Sequence, residues 1–269
     1  MDLQIRKTAA GLALGLTMVL GAPAGADDWD VGPDSDGGLG TDNALFHGAE
    51  QVHDLGAIET GPTTVIQDQD WYLTSVHPFS SYSFVVDGFT GDLDLTSADV
   101  LRTDVNGNFL ESALISDAGG VLSLNWLRES GGSATETNFV RITGASCGFG
   151  CGTADTYRAR FYDTTYTIPR FNNSGTQTTV LLIQNATDRT CGVAPLLLSP
   201  SGTFIASMSP GAVAPNRLLV LATATAAPNQ SGSVRIVHTC GYGGLSGKAV
   251  ALEPATGFAF DTPMTPRPR

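Results

Sequence analysis

Apolar and polar residues alternate along most of this chain in short runs separated by glycine, proline and asparagine. From Ser81 to Val86, Tyr82, Phe84 and Val86 share one face, the period of a strand with one side in a core. The same period groups Leu122, Leu124 and Trp126 within Val121 to Trp126, and sets Tyr157, Ala159 and Phe161 against Arg158 and Arg160. Asp70 to His77 and Asn138 to Thr143 are further candidates in the front half, and Asn106-Gly107 lies between apolar segments as a hairpin turn. Past residue 175 the runs Thr178 to Gln184, Val193 to Leu198, Thr203 to Met208, Arg217 to Ala222, Ser233 to Thr239 and Lys248 to Leu252 recur at the spacing of a β-sandwich. Long amphipathic helices are not evident.

The pattern predicts an all-β protein of two β-sandwich domains, jelly-roll or immunoglobulin-like, behind a cleaved signal peptide. Residues 1–26 carry the signal features: Arg6 and Lys7, an apolar run from Ala9 to Leu20, and Ala24-Gly25-Ala26 before Asp27. That run is shorter than the roughly 20 apolar residues a membrane helix needs, and no later run is longer. A secreted or periplasmic chain without a transmembrane segment is therefore expected. Residues 27–42, rich in Asp and Gly, are expected to form a flexible acidic leader. Residues 43–165 and 166–262 are the two predicted sandwiches, and the proline-rich 263–269 a disordered tail. The junction falls between Asp163 and Asn173, where an extended Tyr166 to Arg170 and the turn-rich Asn172-Asn173-Ser174-Gly175 suit a linker.

Composition agrees with this picture, since Gly (32) and Pro (14) are frequent and only 15% of residues are charged. Charge is divided unevenly. Between Asp27 and Val100 there are fifteen acidic residues and no Lys or Arg, whereas Thr165 to Arg269 holds three acidic and seven basic residues. An electronegative front argues against nucleic acid or an anionic membrane as its partner, because phosphate binding needs clustered Lys and Arg. Cations, basic protein surfaces or glycans suit it better, and an acidic face also keeps an exported protein soluble.

Four cysteines, Cys147, Cys151, Cys191 and Cys240, favour disulfides in an exported chain. Three pairings are possible in principle, and local spacing favours Cys147 with Cys151 and Cys191 with Cys240. A zinc site at Cys-x3-Cys competes, but no His is near in sequence and no second pair stands at ligand spacing. Gly144-Ala145-Ser146-Cys147-Gly148 has the form of a hydrolase nucleophile elbow, yet a glycine-rich loop and a strand follow it, and His238, the one histidine downstream, falls within a predicted strand. His47, His53 and His77, with Glu50, Asp54, Asp68 and Asp70, match no ligand spacing and read as scattered surface residues.

Calcium would take hard oxygens converging from loops, and Asp34/Asp36, Asp68/Asp70 and Asp92/Asp94 each offer two carboxylates. None is an EF-hand loop, and Asp-x-Asp at a strand end is also ordinary turn chemistry. Asp34, Asp36, Asp68 and Asp70 are the candidate calcium ligands. Trp29, Trp71, Trp126 and Phe149 are candidates for a sugar-stacking platform. Among them Phe149 is set at a loop tip and Trp126 follows the core alternation.

In Asp68-Gln69-Asp70-Trp71-Tyr72, Tyr82-Ser83-Phe84-Val85-Val86-Asp87-Gly88, the turn at Asn106-Gly107, Phe139-Val140-Arg141-Ile142 and Tyr157-Arg158-Ala159-Arg160, the front half resembles the bacterial pre-peptidase C-terminal family. Those are β-sandwich modules attached to secreted proteases and other exported proteins. The resemblance covers about 120 residues and implies a non-catalytic role, sometimes with calcium. It departs from the family in lacking a neighbouring catalytic domain and in carrying the Cys-clamped loop. The rear half is similar in a general way to immunoglobulin-like repeats of bacterial surface proteins, through its Thr-rich opening strand, Ser201-Gly202 and Ser231-Gly232-Ser233-Val234. The expected function is a non-catalytic binding or structural module for an extracellular glycan, protein surface or cation. The rivals are a serine hydrolase using Ser146 and an accessory factor of a separate secreted protease.

Overall fold

The computed structural model describes residues 37–56, 58–61, 64–66, 68–115, 120–129, 134–143, 151–208 and 211–267. The expected signal (1–26), residues 27–36 of the leader, and Asp34, Asp36, Ser146, Cys147 and Phe149 lie outside them.

Eleven strands lie among the described residues of the front half, nine of them in its sandwich: β1 (Glu50–Asp54), β2 (Ile58–Gly61), β3 (Thr64–Ile66), β4 (Gln69–Val76), β5 (Ser80–Asp87), β6 (Val100–Thr103), β7 (Phe109–Ser112), β8 (Leu114–Ile115), β9 (Leu122–Arg128), β10 (Glu136–Thr143) and β11 (Thr156–Asp163). One sheet runs β1-β11-β5-β9-β8, the facing sheet β4-β10-β6-β7, and β2 and β3 form a separate hairpin. The alternation read along the chain is the alternation of burial. Tyr82, Phe84, Val86, Tyr157, Ala159 and Phe161 are buried, whereas Arg158 donates to Asp87 on the opposite face and Arg160 pairs with the same carboxylate. Stacked rings fill the middle, with Tyr82 lying 5.5 Å from both Trp126 and Phe161. At the Asn106-Gly107 turn the Asp104 side chain accepts from the backbone N–H of Asn106 and of Asn108, so turn chemistry accounts for this acidic residue.

The rear sandwich comprises β12 (Tyr166–Asn172), β13 (Thr178–Asn185), β14 (Cys191–Leu198), β15 (Phe204–Ser207), β16 (Gly211–Val213), β17 (Leu218–Ala222), β18 (Ser231–His238), β19 (Leu245–Glu253), β20 (Phe258–Pro263) and β21 (Thr265–Pro266). Its sheets are β15-β14-β18-β12-β21, with β16 also on β14, and β17-β13-β19-β20. Among the described residues the only helical segment is the 3₁₀ turn Thr223–Thr225. The all-β, double-sandwich expectation holds. Register also brings Cys191 and Cys240 together. Val193 stands opposite His238, so two positions further out Cys191 faces Cys240, and the two are bridged.

Three expectations are corrected. The linker is itself a strand, β12, which alternation hides because Ile168 and Phe171, three apart, both face the core. The tail is ordered through Arg267: β21 pairs with β12, and the Arg267 N–H donates to Thr165 O at 2.8 Å. Part of the expected mobile leader is also seated, since Thr41 is buried and its N–H donates to Gly38 O.

The two sandwiches are joined over the outer face of β14 and β18. Ala194, Leu196 and Val237 turn away from their own core and pack against Phe79 and Leu127 of the front sandwich. Phe79 also stacks on Phe204 at 5.2 Å, and it adopts a left-handed backbone, φ 53°, in the β4–β5 turn. Such a conformation costs a β-carbon-bearing residue about 1 kcal/mol. Phe79→Ala and Phe79→Gly should both lower the midpoint of denaturant unfolding. The glycine variant is expected to be the more stable by about 1 kcal/mol, the reverse of the usual order. Replacing both Cys191 and Cys240 by Ser, which opens a 49-residue loop, is expected to cost about 4 kcal/mol in the same measurement.

Candidate functional site

The chain passes between sandwiches at Asp163-Thr164-Thr165, and hydrogen bonds hold this passage fast. Thr164 N–H donates to Ser81 O and its hydroxyl to Ser81 Oγ, Ser81 N–H donates to Thr165 Oγ1, and Thr165 N–H donates to Asp163 Oδ1 at 3.0 Å. Beside it the β4–β5 turn, the segment after Ala44 and the two guanidinia of Arg235 and Arg267 enclose a cleft of about 550 Å³. Its apolar wall includes Leu45, Phe46, Tyr82 and Phe161, and its polar wall His47, His77 and Asp163. Phe46 is 69% exposed and offers a ring at the mouth. Arg235 and Arg267 also border a second compartment of about 680 Å³ on the rear sandwich, so the two compartments adjoin at these guanidinia.

Most polar groups of the cleft hold the fold. Asp163 accepts from Arg267, whose other guanidinium nitrogen donates to Ser80 Oγ at 2.5 Å. Asp163 N–H donates to His47 Nδ1 at 2.8 Å, and His77 N–H donates to the Tyr82 oxygen at 2.6 Å. Burial first, and then the Asp163 charge, raise the Tyr82 phenol above its ordinary value, so it stays protonated at neutral pH. Arg235 differs, for it makes a single long bond, 3.4 Å, to Pro78 O. Burial first and then the neighbouring Arg267 lower its pKa, and the Asp163 charge offsets them only in part, so it stays charged. A guanidinium has five N–H donors. The arrangement is therefore suited to receiving acceptor atoms.

The residues singled out from sequence are dispersed. Asp68 and Asp70 are both buried at the start of β4, and among the described residues no three His, Cys, Asp or Glu side chains gather to hold a metal. Asp68 accepts from the Gln69 N–H, and Asp70 accepts from the Tyr157 hydroxyl deep in the core. Tyr72 lies 2.7 Å from Tyr157 OH, and His53 Nδ1 is 4.0 Å from Asp70. Since Tyr157 spends its one proton on Asp70, Tyr72 must be the donor between the two phenols. Burial first and then the Asp70 charge push the Tyr157 phenol well above its ordinary value.

Trp71 is no platform. It is 7% exposed, with Arg141 over its ring at 5.6 Å. Trp126 is buried, as its alternation requires. Cys151 is disulfide-bonded, and its expected partner Cys147 lies outside the described residues. The histidines are not scattered over the surface: His53 is buried, whereas His47 and His77 share the cleft. Arg235, Arg267 and Tyr82 escaped sequence reasoning, because nothing local in the chain brings residue 267 beside residue 80.

His238 is fully enclosed at the same junction. Its Nε2 lies 2.9 Å from Thr164 O and its Nδ1 accepts from the Cys240 N–H, so both ring nitrogens serve the backbone. Burial drives its pKa down to about 4. A second proton would also point Nδ1–H at another donor.

The fold and the junction define an all-β protein of two fused sandwiches with a cleft between them. No family model matches the chain, and no curated protein matches it. Solved structures with some likeness include a glycosyl hydrolase family 2 member from Bacteroides cellulosilyticus, at 10% identity and TM-score 0.26, covering 79% of this chain and 31% of that one. A β-glucuronidase from glycoside hydrolase family 2 aligns at 10% identity and TM-score 0.21, covering 76% and 24%. The chain spans less than a third of the length of either enzyme, and likeness at this level carries no argument about the site.

Stability should follow His238. The unfolded chain takes up the His238 proton near pH 6.5 and the folded chain near pH 4. Stability is therefore undiminished above pH 6.5 and falls as pH drops from 6.5 toward 4, by up to about 3 kcal/mol. Melting temperatures measured between pH 7 and 5 are expected to slope less steeply in His238→Gln than in the parent.

Proposed function

We infer that this chain is an exported, non-catalytic binding module whose two sandwiches act as one body and hold a ligand in the cleft at their junction. The observation that carries this reading is the state of the cleft's polar groups. Asp163, His47, Tyr82 and Arg267 are engaged in tying loops together, while Arg235 lines the cleft with one long bond, to Pro78 O. Groups locked in structural bonds are poorly placed to move protons, whereas a rigid concave wall with a few outward donors suits recognition. Export is supported by the Cys191–Cys240 bridge, a feature of oxidising compartments, together with the signal-like start of the chain. The likeness of the front half to pre-peptidase C-terminal modules points the same way.

Arrays of glycans and matrix proteins, probed with the chain from residue 27 onward, test the reading. A ligand is expected that binds the parent and is lost at least tenfold in Ser75→Trp, which fills the cleft, while the melting temperature stays within a few degrees. Turnover of the bound ligand, or fluorophosphonate labelling that disappears in Ser146→Ala, would overturn it.

A further inference from the structure

We propose that the depression running from the cleft over Arg267 and Arg235 to Arg170 binds a linear anionic glycan, one bearing carboxylate or sulfate groups. The inference rests on reading the junction as a ligand site and names the class of ligand.

Charge is the first argument. The chain carries a net charge of −12, and its front has no cation between Asp27 and Val100. Yet three of the six arginines that follow Thr165 border this one depression, and Asp163 is the sole carboxylate among its described lining residues. Arg267 is held by Asp163. Arg235 makes one long side-chain bond, to Pro78 O, with the Asp163 charge nearby, and among the described residues no ion pair is formed by the exposed Arg170. An arriving anion would compensate the buried charge of Arg235 and its repulsion from Arg267, which Asp163 offsets only in part.

The backbone is the second argument. In β12, Ile168 pairs with Val234 but Phe171 pairs with Gly232, so Pro169 and Arg170 together oppose Ser233. This bulge keeps Ile168 and Phe171 in the core and turns Arg170 outward, where a regular strand would have put residues 168 and 170 on the same side. On the other side of β18, Gly232 allows β14 to come close, because a β-carbon there would lie 1.8 Å from Leu198 O.

The remaining lining decides between anions. Ser231, Ser233 and Thr167 line the second compartment beside the guanidinia, and Asn172, Ser174 and Ser199 line it too while bonded within their own turns. Hydroxyl and amide side chains that donate and accept match the hydroxyls of a sugar chain. An extended acidic peptide would instead look for apolar pockets at alternate spacing.

Titration calorimetry at two salt concentrations, with polygalacturonate, heparin, neutral dextran and poly-glutamate, tests the proposal and separates the two anionic sources. At least one acidic glycan is expected to bind, at least tenfold more tightly than dextran or poly-glutamate. Affinity should fall tenfold or more in Arg170→Ala/Arg235→Ala, with a weaker salt dependence, and less in Arg235→Lys. Arg217→Ala, an exposed arginine outside the depression, should leave affinity unchanged. Failure of both acidic glycans to bind, affinity unmoved by the double variant, or equal binding of poly-glutamate would overturn the anionic-glycan site. If a neutral ligand binds and Ser75→Trp abolishes that binding, the binding-module reading stands and this inference alone falls.

Discussion

The rest of the molecule depends on one constraint: β14 and β18 have two apolar faces. One face fills the core of the rear sandwich through Val193, Leu197, Val234 and Ile236, and the other carries Ala194, Leu196 and Val237. An uncovered apolar sheet face in water is unfavourable in proportion to its area. The front sandwich covers it with Phe79 and Leu127. Everything particular to the junction follows from that contact. The chain crosses at Asp163 to Thr165 in a fully bonded passage, His238 is sealed from water, and the tail returns to place Arg267 against Asp163 and Ser80.

Rigid fusion has a functional consequence. Two bodies on a flexible tether would open and close any cleft between them, and a ligand would lose affinity to the cost of ordering it. Here the walls come from different sandwiches but are fixed by hydrogen bonds between them, as from Thr164 and Thr165 to Ser81, so the shape of the cleft is built into the fold. The division of charge acts in the same place. The acidic front and the mildly basic rear meet at the junction, and the basic side supplies guanidinia that the front neutralises only once, through Asp163.

The front core shows a different use of polar groups. Tyr72 donates to Tyr157, which donates to Asp70, with His53 alongside. A carboxylate with its donors in place is tolerable in a sandwich interior, whereas one stripped of them is not. This chain of bonds explains why Asp70 and His53, which read as solvent-facing, are enclosed. Tyr157, which bonds to both Asp70 and Tyr72, is 87 and 85 residues from them, so no window of sequence contains the three.

Most of the strands could be read directly, and with them the inward faces of β5, β9 and β11, because alternation and turn residues act over a few positions and report locally. β12 was hidden by its bulge, whose three-residue spacing of Ile168 and Phe171 mimics no strand period, and β21 by its prolines. The run Val193 to Leu198 reads as a strand, but its second buried face cannot be inferred, since an apolar residue looks the same whichever core it enters. By itself the sequence determined the all-β class, the turns, the pairing of Cys191 with Cys240 as the favoured bridge, and the asymmetry of charge. Only the tertiary structure decided that the two sandwiches share a dry face, that His47 and His77 meet Arg235 and Arg267 across it, and that Asp70 is interior. Those outcomes depend on which outward surface meets which, and that is settled by contacts between residues far apart along the chain.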